Sequence, residues 1–208
     1  VKSMKKICLF AILLMAALGA AAETHVSIVA APQFDDRIGV RAGLDADFSL
    51  GSSNFSFVPG LYWSMRSFCY SVKAEGKTVF DATDRSHWLS VPLRFAYNFS
   101  KGSEKFQTQL LFGPYVAVGL GGTTSITAPE NKKVGSFDKK NGGIYDRRFD
   151  VGFNVGVNFI IKKHLVLGAF GEIGFMPLGN LGRYSVLEAF ALPFTNNLAF
   201  GINIGYRF

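Results

Sequence analysis

Beyond its first two dozen residues the chain alternates. From Phe149 to Ile161, the residues Phe149, Val151, Phe153, Val155, Val157, Phe159 and Ile161 form one row. Asp150, Gly152, Asn154, Gly156, Asn158 and Ile160 form the other. Leu198–Phe208 repeats the pattern, with Leu198, Phe200, Ile202, Ile204, Tyr206 and Phe208 against Ala199, Gly201, Asn203, Gly205 and Arg207. Leu89–Phe99 does the same, and in 38–50 an apolar row (Ile38, Val40, Leu44, Phe48, Leu50) opposes Arg41, Asp45 and Asp47. A period of two is the signature of a strand between an apolar and a polar medium.

Turn residues divide the chain into eight expected strands: 24–31, 37–50, 54–67, 87–99, 106–121, 147–161, 165–177 and 196–208. Runs of ten to thirteen residues exceed the usual soluble strand. Thirteen residues at ~3.3 Å each, tilted by about 45°, cover roughly 30 Å, the thickness of a hydrocarbon core. Connections 51–53, 100–105 and 162–164 are short, whereas 68–86, 122–146 and 178–195 are long, although the first connection on that side, 32–36, is brief. Short turns at one end and long loops at the other mark hairpins built across a membrane from one side. The expected fold is all-β: a closed, antiparallel, eight-stranded up-and-down transmembrane barrel.

A soluble barrel would also alternate, but with Lys, Glu and Thr facing water. Here all ten lysines after residue 22 (73, 77, 101, 105, 132, 133, 139, 140, 162 and 163) fall in expected turns or loops. The polar rows hold Gly, Asn, Ser and a few charges, which suits the cramped lumen of eight strands. Arg41, Arg66, Arg94 and Arg207 are expected to pair there with Asp45, Asp47, Asp150 and Glu172, because an unpaired buried charge costs several kcal/mol. Phe149, Val151, Phe153, Val155, Val157, Phe159, Phe200, Ile202 and Ile204 are then expected to face lipid. Trp63, Trp88, Tyr97, Phe99, Tyr206 and Phe208 are expected in interfacial girdles. Pro59, Pro92 and Pro114 fall inside strands, remove ladder donors and predict bulges or local irregularity.

Residues 1–22 are of another kind. Met4-Lys5-Lys6 precedes an apolar run from Ile7 to Ala22 that ends Ala20-Ala21-Ala22, the pattern of a cleaved secretory signal peptide. Sixteen residues as a helix reach ~24 Å, short of a bilayer. The barrel then occupies 23–208. Three lysines leave with the signal, so 22 basic residues become 19 against 15 acidic and the charge falls from +7 to +4. Spread over loops, +4 is no nucleic-acid footprint. Cys69 is then the single cysteine of the expected mature chain, so no intramolecular disulfide is expected, and no Cys/His metal pattern or other cofactor motif is present.

The segments Gly39-Val40-Arg41-Ala42-Gly43, Val58-Pro59-Gly60-Leu61-Tyr62, Val91-Pro92-Leu93-Arg94-Phe95, Gly113-Pro114-Tyr115, Phe149-Asp150-Val151-Gly152 and Gly205-Tyr206-Arg207-Phe208 follow one another in order. Together they resemble the PorT-like outer-membrane β-barrel family of Bacteroidetes. The resemblance implies the barrel fold and an outer-membrane location, and it brings no site residues with it. Phe208, closing the last strand, resembles the terminal aromatic signature of bacterial outer-membrane barrels, which implies insertion by the barrel-assembly machinery. Expected partners are outer-membrane lipid and lipopolysaccharide, which the basic residues of 122–146 could contact.

Catalysis has two weak candidates. His25-Val26-Ser27 has H-x-S spacing but lies on the first strand. Asp81-Ala82-Thr83-Asp84-Arg85-Ser86-His87 would set a histidine beside carboxylates in the first long loop. The expected role is structural or surface-interacting, through the long loops and without catalysis. The alternatives are a narrow channel for small solutes and a lipid-modifying or proteolytic enzyme.

Overall fold

The computed structural model describes residues 24–35, 37–74, 77–128, 131–141, 143–175 and 198–208. The expected signal peptide and the long connection 178–195 lie outside the described residues. Among the described residues nine strands follow in order: β1 Thr24–Phe34, β2 Ile38–Ser49, β3 Phe55–Ala74, β4 Lys77–Asn98, β5 Phe106–Ala128, β6 Lys132–Gly135, β7 Phe149–Ile161, β8 Leu165–Gly174 and β9 Leu198–Arg207. Eight of them form a barrel, in which neighbouring strands are antiparallel. β1 pairs with both β2 and β9, and β4–β5 pairing closes the circle. The ninth, β6, is a short addition to the upper part of β5.

Neighbouring residues show which way the rows point. In β9, Ile202 is 63% exposed while Asn203 is 6% exposed. Phe149, Phe153, Val155, Phe159, Phe200 and Ile204 are likewise exposed on the outer surface, with Val151 and Val157 half-buried among them. Phe48 departs from its row: it is buried, beside its cross-strand partner Phe57. The barrel wears its hydrophobic residues outside and its charges within, the reverse of a water-soluble core.

The prolines do not shift the register, as bulges would. Each instead opens a gap in one ladder. Two residue pairs drop out at each: Ala46–Pro59 and Asp47–Val58 between Asp45–Gly60 and Phe48–Phe57, Gly60–Pro92 and Leu61–Val91 between Pro59–Leu93 and Tyr62–Ser90, and Leu93–Pro114 and Arg94–Gly113 between Pro92–Tyr115 and Phe95–Phe112. Pro32, which the sequence pattern assigned to a turn, lies in β1 and opens a fourth gap against β9. A proline lacks only its N–H, so a ladder can lose that bond and resume in register. Register shifts occur elsewhere, at Val72/Lys73, Asp81/Ala82 and His87/Trp88.

Two expected loops contain strand, the first throughout most of its length. β3 and β4 run on as a ribbon through most of 68–86, and 122–146 holds the end of β5, then β6 and a 3-10 turn at Lys139–Asn141. At the opposite end the turns are short. Between β7 and β8, Lys162 and Lys163 both adopt left-handed backbone (φ 50° and 67°), the hairpin geometry usually given to Asn-Gly. The His164 amide donates to the Ile161 carbonyl across this turn.

Candidate functional site

The lumen is lined by the inward rows, and described side chains meet across it at several levels. Nearest the short turns, Arg207 lies 3.7 Å from Asp47 and donates to Gln107. Gln109 donates to Asp47 (2.8 Å) and to Asn98 (2.7 Å). Above it, Val29, Val58, Ile160 and Val166 line a cavity of about 10 Å³, with Ser27, Asp45, Asp47 and Asn158 at its polar wall. That volume admits about one water molecule. Val58, Ala96 and Leu111 pack together beside it.

Next comes the Asp45–Arg94 ion pair, with the Tyr62 hydroxyl donating to the same carboxylate at 2.6 Å. Gly60 is needed at this point, because a Cβ there would press on the Asp45 carboxylate and the Tyr62 ring. The Arg41 guanidinium lies over Tyr62 (3.8 Å) and Phe170 (4.3 Å). It donates at 2.8 Å to Glu172, which also accepts from Arg66 (3.1 Å) and Asn154 (3.0 Å). All four partners are buried. One carboxylate between two guanidiniums and an amide has its oxygens well used, which is the condition for keeping such charges out of water. Asp150 accepts the Tyr115 hydroxyl at 2.8 Å.

At the long-ribbon end an aromatic cap closes the barrel. Trp88 meets Phe137 and Tyr145 edge-on at 5.4 and 5.5 Å, and those two rings stack at 5.2 Å. Trp88 was expected in an interfacial girdle; it is instead fully buried, with its Nε1 donating to Ser86. Its parity explains this, since it shares a row with Ser90, Pro92 and Arg94. Four residues farther along β4 towards its ribbon end than Trp88, Asp84 accepts from Thr124 at 2.7 Å and faces the hydroxyls of Ser136, Ser86 and Tyr145. Burial pushes its carboxyl above the usual range. In the turn between β1 and β2, burial raises Asp35 to about 6, against the opposing pull of Arg66 and the hydrogen bonds from Gln33.

The catalytic candidates do not assemble. Asp84 faces the lumen, whereas His87 takes the outer row and stacks on Trp63 at 5.6 Å. His25 and Ser27 share a row of β1 near the Asp47–Arg207 pair, and the adjoining cavity has no room for a substrate. Among the described residues no group of three or more His, Cys, Asp or Glu could hold a metal.

Tyr62, Trp88 and Tyr115, the largest wholly buried side chains, were not anticipated in the lumen, nor was Asp84. Parity could have found them: Tyr62 lies four residues from Arg66, and Trp88 six from Arg94. Aromatics gather outside at the short-turn end, where Phe55 meets Tyr97, Tyr97 meets Phe99, and Tyr206 meets Phe208 and His164. Phe208 is exposed, and its backbone N–H donates to Val26, tying the last residue to the first strand.

Residues 16–180 match the family model described as outer membrane protein beta-barrel domain. No curated protein matches the chain in sequence. Several solved structures resemble it in fold. Ail, the attachment invasion locus protein of Yersinia pestis, is 13% identical (90% of this chain and 99% of that one covered, TM-score 0.44). The outer membrane enzyme PagL is 14% identical (88% and 97%, TM-score 0.48). A major outer membrane protein from Thermus thermophilus is 12% identical (89% and 100%, TM-score 0.49).

Proposed function

The chain belongs to the outer membrane protein beta-barrel domain family, and from that premise we propose that it is a closed, non-conducting barrel acting through its long-ribbon end. It is an integral outer-membrane β-barrel protein. The observation that carries the reading is the succession of buried clusters across the lumen. Asp47–Arg207, the Val29/Val58/Ile160/Val166 girdle, Asp45–Arg94 and Glu172 with its two arginines follow one another along the axis. A hydrated ion would have to break each in turn, and breaking a buried pair costs about 3–5 kcal/mol. Among the described residues, the parts that project beyond the apolar band are the β3–β4 ribbon, β6 and the loop that carries the aromatic cap.

In this reading residues 1–22 direct export, and Phe208, tied to the β1–β9 seam, is read by the barrel-assembly machinery. The rows from Phe149 to Phe159 and from Phe200 to Ile204 face hydrocarbon. The role is non-enzymatic, since Asp84 and His87 stand on opposite faces of one strand. Within the wider family, the ordered proline and glycine motifs favour a place among the PorT-like barrels of Bacteroidetes.

Planar-bilayer recording with the purified full chain tests the proposal. A flat trace at ±100 mV is expected. Steady unitary steps that disappear on removing the protein would overturn it.

A further inference from the structure

The eight described arginines divide cleanly. Arg41, Arg66, Arg94 and Arg207 are buried in the lumen; Arg37, Arg85, Arg147 and Arg148 are exposed, all at the long-ribbon end. At the short-turn end the exposed cations are all lysines (Lys101, Lys105, Lys162 and Lys163), whereas the long-ribbon end carries its exposed arginines beside Lys132, Lys133 and Lys140. The difference has chemical content. A guanidinium offers a planar fork that grips a phosphate through two hydrogen bonds, whereas an ammonium acts as a point charge.

The arginines also stand where the apolar surface ends. Arg37 adjoins Ile38, and Arg147 and Arg148 adjoin Phe149, each among the most exposed apolar residues. Arg85 continues the outer row of β4, two residues beyond His87, which stacks on Trp63. Opposite Arg85 in the sheet is Thr123, with Gly135 of β6 as the next neighbour, so no acid faces it from either strand.

Two of the short-turn lysines have partners within the turns. Lys163 is 2.6 Å from Glu104, and Lys101 donates to the Gly51 and Ser53 carbonyls, so these lysines are engaged within the turns. Among the described residues Arg37, Arg85 and Arg147 have no carboxylate partner. Arg148 is held in place: its Nη1 donates to the Gly119 and Leu120 carbonyls, and its guanidinium lies 4.7 Å from the Phe137 ring centre.

Resting on the outer-membrane reading above, we infer that Arg37, Arg85, Arg147 and Arg148 form a rim that binds the phosphate groups of phosphorylated lipid in the leaflet around the long-ribbon end. Hydrocarbon meets the Ile, Phe and Trp side chains, and the lipid's phosphates meet the guanidiniums one step further out. A free phosphate shares the headgroup's chemistry but would lack the acyl chains.

The test uses the full chain in phosphate-free maltoside micelles, with native mass spectrometry counting retained lipid. The probes are a bis-phosphorylated acyl-glucosamine disaccharide, its dephosphorylated form and inorganic phosphate. Wild type is expected to retain the phosphorylated lipid at least tenfold over the dephosphorylated one. R37Q/R85Q/R147Q should bring that preference to about onefold, and K101Q/K105Q/K162Q should leave it unchanged. Unheated-gel mobility verifies that each variant is folded, and R37K/R85K/R147K serves as a milder substitution with an intermediate preference expected. The inference falls if the Arg-to-Gln variant keeps its preference, if the lysine variant loses it equally, or if millimolar inorganic phosphate displaces the lipid. A folded, membrane-inserted protein without the preference would sink the rim alone; failure to insert would sink the outer-membrane reading.

Discussion

Glu172→Gln is the most incisive perturbation of the lumen. The carboxylate holds Arg41 at 2.8 Å, Arg66 at 3.1 Å and Asn154 at 3.0 Å, with 1% of its side chain exposed. Glutamine keeps the shape but removes the charge and turns one acceptor into a donor aimed at a guanidinium. Two buried cations then share no anion at this level of the barrel, and breaking a buried pair costs about 3–5 kcal/mol. At 1.4 kcal/mol per decade, the unfolding constant should rise by about 10²- to 10⁴-fold. Urea unfolding in lipid bilayers, followed by tryptophan emission and unheated-gel mobility, measures it. Glu104→Gln is the control, because its pair with Lys163 is solvent-exposed and its loss should leave the midpoint in place. If Glu172→Gln unfolds at the same urea concentration as Glu104→Gln, the lumen is hydrated enough to screen its charges and the closed-plug account fails.

Two further outcomes follow from the long-ribbon end. Because burial raises Asp35 from 3.8 to about 6, its stabilising contribution is complete below pH ~3.8 and is lost as pH rises through 6. The wild-type urea midpoint, taken relative to Asp35→Asn, should therefore fall between pH 4 and 7, and parallel curves would refute the assignment. A Cβ at Gly119 would overlap the Phe137 ring, so Gly119→Ala should undock the cap, red-shift Trp88 emission and open loop 136–145 to protease. Lost burial and ring contacts amount to about 3 kcal/mol, while the barrel should keep its folded gel mobility. Unchanged emission and protection would show that the cap does not depend on Phe137.

The barrel was legible because its two environments are so unlike. Phe149–Ile161 or Leu198–Phe208 alone sets strand, facing and length, and a residue such as Arg94 in a polar row has nowhere to go but inward. What lay above the apolar band was not legible. From Asp81 to Ser86 and from Thr123 to Thr127 the buried row is itself largely polar (Asp84, Ser86, Thr124), so the hydrophobic period vanishes although the strands continue. The cap was hidden for a related reason: Phe137 and Tyr145 stand among Gly, Asp and Lys, and only the fold brings them onto Trp88. The prolines carried the correct local signal, a missing donor, but not its consequence, since a gap and a bulge draw on the same sequence feature.

The central claim is that hydrocarbon covers one row of aliphatic side chains while the other row is sealed from it. Methyl-labelled protein in lipid nanodiscs tests this without any substitution, through NOEs between acyl chains and valine or isoleucine methyls. Val155, Ile202, Ile204 and their outer-row neighbours should show strong acyl-chain NOEs, while Val29, Val58, Ile160 and Val166 inside the barrel show none. Acyl-chain NOEs at Val58 or Ile160, with water contacts at Val155 and Ile202, would contradict the account.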